Sequence, residues 1–136
     1  MFKTMNLEWE NIIGNSNMKI IGIVGSRRRD SENDFKLCEA KFKELYEEGD
    51  EIVSGGCPKG GDRFAERIAK KYGLGIKIYF PDWNKGKTAG FTRNTFIARD
   101  ANELIACCAE DRTGGTEDTV KKFRNKVDDD KYLHLV

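Results

Sequence analysis

The chain has 136 residues, with 24 Lys and Arg against 23 Asp and Glu for a net charge of +1, and is 38% hydrophobic and 35% charged. That length sets a single domain as the expectation, and the balanced charge removes the broad positive field behind sequence-independent duplex binding, so nucleic-acid contact would need a local basic patch. No apolar run reaches the ~18 residues of a membrane-spanning helix, and the segment Met1 to Asn17 mixes Lys3, Glu8, Trp9 and Glu10 without the apolar stretch of a secretory leader, which reads as a cytoplasmic protein with no membrane partner.

From Met18 onward, short β-rich runs alternate with longer stretches of helical period, so residues 1–17 read as an extension and residues 18–136 as the domain. Lys19 to Val24 is a near-continuous apolar run ending at Gly25, as expected of a strand covered on both faces. A helix is predicted from Glu32 to Glu48, with Ser31 as cap, Asp34 three residues later, and Phe35, Cys38, Phe42, Leu45 and Tyr46 on its inner face. Glu51 to Ser54 reads as a second strand and Asp62 to Tyr72 as a second helix, with Phe64, Ala65, Ile68, Ala69 and Tyr72 turned inward. Ile76 to Phe80 is a third strand stopped by Pro81, and a third helix runs from Thr88 or Ala89 to Ala101. Glu103 to Ala109 supplies a fourth strand, and a fourth helix opens near Thr116 with Val120, Phe123 and Val127 inside. Tyr132 to Val136 is the fifth strand, reached across the solvated turn Asp128 to Asp130.

Five strands separated by four helices predict an α/β, Rossmann-like three-layer sandwich around a mainly parallel sheet, with strand order 3-2-1-4-5. Cys38, Cys57, Cys107 and Cys108 form neither a CxxC pair nor a cluster with the single histidine, His134, so they read as small hydrophobes and no metal site is expected. In a strand, Cys107 and Cys108 would point to opposite faces.

Ligands of such sheets bind beyond the carboxyl ends of the strands, and there the unusual residues stand. The first loop, Gly25-Ser26-Arg27-Arg28-Arg29-Asp30, lacks the GxGxxG spacing of a dinucleotide site, and Glu47, Glu48 and Asp50 fall before the second strand rather than at its end, so no standard cofactor is implied. Its arginines suit a phosphate or a solvated surface equally. In the second loop Gly55, Gly56, Gly60 and Gly61 carry an entropic cost that favours a ligand role, and Asp62 is either the cap of the second helix or a ribose acceptor. Trp83 could stack on a base or plug the sheet edge. Arg93 and Asn94, early in the third helix, could face the same cleft. Gly114-Gly115-Thr116, opening the fourth helix, has the form of a phosphate cradle or of an ordinary glycine turn with a threonine cap.

In this order and on these loops, Val24-Gly-Ser-Arg27, Ser54-Gly-Gly56, Gly60-Gly61-Asp62-Arg63-Phe64-Ala65, Pro81-Asp-Trp83, Gly86-Lys87 with Ala89-Gly90, Arg93-Asn94 and Gly114-Gly115-Thr116 resemble the SLOG superfamily, specifically its small YspA-like (DUF2493) group. The resemblance spans about Met18 to Val127. It implies a nucleotide or nucleotide-derived small molecule held at these glycine-bearing loops, as in a sensor or carrier, and a homodimer as partner arrangement. Relatives of LOG type are phosphoribohydrolases, with an arginine matched here by Arg93 and a glutamate whose position is occupied by Thr119. Asp118 or Glu117 would have to substitute, and one position along a helix rotates a side chain by about 100°. The catalytic pair of that alternative is therefore Arg93 with Asp118. A second alternative is single-strand DNA binding of DprA type, along a basic edge of Arg27 to Arg29, Lys59, Arg63, Lys85, Lys87 and Arg93; the near-zero net charge counts against it.

Overall fold

The computed structural model describes residues 18–136, and the expected N-terminal extension lies outside them. Five strands, β1 (Ile20–Gly25), β2 (Glu51–Ser54), β3 (Ile76–Ile78), β4 (Glu103–Cys107) and β5 (Leu133–Leu135), form one all-parallel sheet in the order β3-β2-β1-β4-β5. Helices α1 (Glu32–Leu45), α2 (Gly61–Tyr72), α3 (Ala89–Asp100) and α4 (Gly115–Val127) cover it. The expected Rossmann-like α/β architecture is the one observed, and no helix of the described residues is long and apolar enough to cross a membrane.

The two-residue alternation of β1 and β4 sorts the core into two layers. Ile21, Ile23, Ile105 and Cys107 pack against Phe35, Cys38 and Phe42 of α1 and Phe64, Ala65 and Ile68 of α2. On the other face Val24, Leu104, Ala106 and Cys108 pack against Ile97, Ala98 and Ala101 from α3 and its end, and Val120 and Phe123 of α4. Cys107 and Cys108 thus serve opposite layers, as their adjacency requires. Phe35 and Phe64 meet edge to face at 5.6 Å, and each buried ring contributes about 1.5–3 kcal/mol.

The ends of the elements differ from the sequence expectation by a few residues, for identifiable reasons. At α1 the capping box is complete: Asp34 N donates to Ser31 Oγ (3.1 Å) and Ser31 N to Asp34 Oδ2 (3.2 Å). The helix stops at Leu45, because Tyr46 is extended. Asp62 does not cap α2; the cap is Gly60, with φ of +78°, and Asp62 lies inside the first turn. Strand β4 ends at Cys107 rather than Ala109, since its partner β1 ends at Gly25 and Ser26 N closes the ladder on Cys107 O (2.9 Å). By the same logic β3 loses its neighbour once β2 ends at Ser54. The acidic run after α4 is a turn: Asp128 adopts a left-handed conformation at the helix end, and Asp129 Oδ1 accepts from Lys131 N (2.9 Å).

Between β1 and β4 the strand order reverses direction, so the chains leaving these two strands diverge and open a crevice above the sheet.

Candidate functional site

A cleft of about 480 Å³ occupies this reversal point. Its walls come from the end of β1 and the chain after it (Val24 to Arg28), Trp83 and Lys87, α3 from Gly90 to Ile97, and the start of α4. Ten of the residues expected at a site line it, namely Gly25, Ser26, Arg27, Asp62, Trp83, Arg93, Asn94, Gly114, Gly115 and Thr116. Gly55, Gly56, Gly60, Gly61 and Asp118 do not.

The glycines of the second loop are held by the protein's own close packing. At Gly61 an added Cβ would lie 2.1 Å from Val24 C, because α2 begins directly against the backbone of β1. At Gly60 it would meet Ser26 O at 2.4 Å, and at Gly56 the Phe80 ring at 2.4 Å. Gly55 leaves room for Arg93, whose Nη1 would stand 2.5 Å from a Cβ there. Backbone contact at Gly60 and Gly61 and the left-handed φ of Gly56 and Gly60 account for glycine at these three positions without a ligand, whereas at Gly55 only the movable ends of Arg93 and Asp62 stand close.

The three arginines of the first loop divide in the same way. Arg28 is spent on the opposite wall, donating to Asp111 (2.9 and 3.1 Å) and to Thr113 O (2.9 Å) and Oγ1 (2.7 Å). The pairing holds the Asp111 carboxyl down to about 2 and ties the loop before α4 in place. Arg29 pairs with Asp34 (3.0 Å) and donates to the carbonyls of Cys108 (3.1 Å) and Val136. Arg27 is exposed on the cleft and has no hydrogen-bond or ion-pair partner among the described residues, and the same holds for Lys87 across from it.

Arg93 and Asn94 brace the floor. Arg93 donates to Asn94 Oδ1 (2.9 Å) and from Nη1 to the carbonyls of Gly55 and Tyr79. Asn94 Nδ2 reaches Gly115 O (3.3 Å) and Asp118 Oδ2 (3.2 Å), so α3 and the first turn of α4 are bracketed together. Beneath them Asp62 accepts from Ser54 Oγ (3.0 Å) and Cys57 N (3.0 Å). Burial pushes its carboxyl above the ordinary carboxylate value, while the Cys57 N–H and the Arg93 guanidinium pull it back.

The start of α4 is open. Gly114, with φ of +110°, is followed directly by the helix, no side chain caps its first turn, and nothing stands within 4 Å of a Cβ built at Gly115. Free N–H groups and the positive end of the helix dipole therefore face the cleft beside Thr116. Trp83, 59% exposed, flanks the mouth with Gly90 against its indole and Phe91 beyond. Arg27, Arg28, Lys87 and Arg93 make the lining cationic, and the buried Asp62 is its one carboxylate.

Asp118, the sequence candidate for a catalytic carboxylate, is engaged elsewhere: its Oδ2 is 2.9 Å from Lys122 Nζ and accepts from Asn94. Thr119, where the phosphoribohydrolase pattern has glutamate, does line the cleft. Cys57, Phe91 and Ile97 also line it and were not marked by the sequence as site residues. Phe91 had one available signal, an aromatic in the first turn of α3 two positions before Arg93. Cys57 and Ile97 had none, since each reads as an ordinary small or core hydrophobe.

Comparison with family models, with curated proteins and with solved structures finds no match to this chain in any of the three.

Proposed function

We propose that the cleft binds an anionic, nucleotide-derived small molecule and holds it intact, as a sensor or carrier does. The observation that carries this reading is the pairing of an uncapped α4 N-terminus with an uncommitted guanidinium, Arg27, in one cleft. Oriented backbone N–H groups and a bidentate cation are the two devices by which proteins recognise phosphate. Trp83 and Phe91 supply exposed π surfaces for a base at the mouth, and the volume of about 480 Å³ falls within the usual range for small-molecule sites. The resemblance to the SLOG superfamily supports the same ligand class, and membership of its small single-domain branch is part of the proposal.

Cleavage of the base from the sugar finds less support. An oxocarbenium-like transition state calls for a carboxylate beside the sugar. Asp118 is paired with Lys122 outside the lining, and Asp62 is buried under its own hydrogen bonds. The basic edge expected for DNA is also reduced, since Arg28, Arg29 and Arg63 are occupied by Asp111, Asp34 and Asp30.

Calorimetry with nucleoside 5'-monophosphates tests the reading. Arg27→Ala removes a charged hydrogen bond to the ligand, expected to cost about 1.5–3 kcal/mol of binding, and leaves the unfolding midpoint unchanged because Arg27 has no protein partner among the described residues. Equal affinity in the variant and the wild type would remove the anion from this position. Absence of any heat or thermal stabilisation across the monophosphates, where a ligand at about 100 times its Kd adds roughly 2.7 kcal/mol, would overturn the reading itself.

A further inference from the structure

Five residues of the cleft lining are buried: Val24, Asp62, Asn94, Ile97 and Thr119. Two are apolar. Asp62 and Asn94 have their polar atoms bonded within the protein. Thr119 differs from the other four, because it is 2% exposed and its hydroxyl has no protein partner among the described residues. Helical threonines commonly return their hydroxyl to the carbonyl four residues back, as Thr92 and Thr95 do here on Thr88 and Phe91. For Thr119 that carbonyl belongs to Gly115 and is taken by Asn94 Nδ2. A buried hydroxyl with no partner is costly to the folded protein and calls for a reason.

We infer that the Thr119 hydroxyl is kept for the ligand and reads a neutral hydroxyl group of it, a sugar hydroxyl of the molecule whose phosphate lies at the α4 start. The inference rests on the reading of the cleft given above and adds the chemical class of the group at its floor. Thr119 stands one turn beyond Thr116, about 4.5 Å further along the helix, so phosphate and sugar are read from successive turns of one element. The floor residues suit a neutral group: Val24 and Ile97 are apolar, and the Asp62 carboxylate is a poor neighbour for a second anion. A hydroxyl of the ligand both donates to and accepts from threonine, which matches a side chain with both capacities unused.

The test compares Thr119→Val, which keeps the shape and removes the hydroxyl, with Thr119→Ser, which keeps the hydroxyl. Without ligand, the valine variant is expected to melt at or above the wild-type temperature. Titrated with adenosine 5'-monophosphate and with ribose 5-phosphate, it is expected to bind about tenfold more weakly, and the serine variant within about threefold of wild type. A valine variant that binds both probes as tightly as wild type overturns the inference while leaving the cleft a nucleotide site. A fall of several degrees in its melting temperature also overturns it, by showing that the hydroxyl serves the fold. If the wild-type protein binds neither probe, this inference and the proposed function fall together.

Discussion

Two loops of this protein are rich in glycine, and they use it for opposite purposes. Between β2 and α2, Gly55, Gly56, Gly60 and Gly61 are each filled by the molecule itself: a guanidinium, a phenyl ring, a carbonyl and the backbone of β1 occupy the space where side chains would be. Before α4, Gly114 has only the tip of Arg28 in reach, at 3.8 Å from a built Cβ, and Gly115 has nothing within 4 Å. The first loop is closed by packing, and the second is left open toward a cationic cleft. Glycine density measures how closely something approaches the backbone, and only the surroundings reveal whether that something is protein or ligand.

The largest effect that would break or sharpen this contrast comes from Gly61→Ala. Its Cβ would sit 2.1 Å from a backbone carbon that cannot rotate aside, so α2 must separate from β1. We expect a loss of about 3 kcal/mol or more in denaturant unfolding, or failure to fold. A stable, cooperative Gly61→Ala protein would show that the junction has slack. Gly115→Ala should behave in the opposite way: with open space around it and an ordinary negative φ, stability stays level or rises by up to about 1 kcal/mol. In calorimetry the same variant should bind adenosine 5'-monophosphate more weakly, because the methyl group stands where the phosphate approaches. Destabilisation comparable to that at Gly61 would erase the distinction between the loops.

The smallest effect concerns the tether that keeps the open loop in place. Arg28 holds the Asp111 carboxyl at about 2 against an ordinary 3.8, so the folded-state value is depressed and the ion pair stabilises the native protein above the ordinary value. That contribution fades as pH falls from 3.8 toward about 2. Asp111→Asn should therefore differ from wild type in stability at neutral pH, with the difference shrinking through this acidic window, as read by unfolding at a series of pH values. The pair is exposed, so the difference is small and should shrink further in high salt. A difference independent of pH would show that it does not come from the charged Asp111 carboxylate.

Much of the fold was legible because its signals are local. The near-continuous apolar run ending at Gly25, the three-to-four spacing of Phe35, Cys38 and Phe42, and the Ser31/Asp34 box are properties of neighbouring residues, and each stands as read. The cap reading of Asp62 fails for the same reason: an Asp after two glycines looks like a cap, yet the tight contact of Gly61 with Val24 starts the helix earlier and drives the carboxylate inward. Among the site residues, Arg27, Arg28 and Arg29 are indistinguishable in sequence. Their fates depend on Asp111 and Asp34, of which the first stands 83 positions away from its arginine.

By itself the sequence determined the order of strands and helices, their inward faces apart from Tyr72, which is exposed at the end of α2, and the set of loops that meet at one edge of the sheet, because hydrophobic period and helix signals act over a few residues. Only the tertiary structure decided which glycines are filled, which arginine is left without a partner, and that Thr119 is buried with an unused hydroxyl. Each of those outcomes depends on partners brought together by packing from distant parts of the chain, and no local pattern encodes the distance between them.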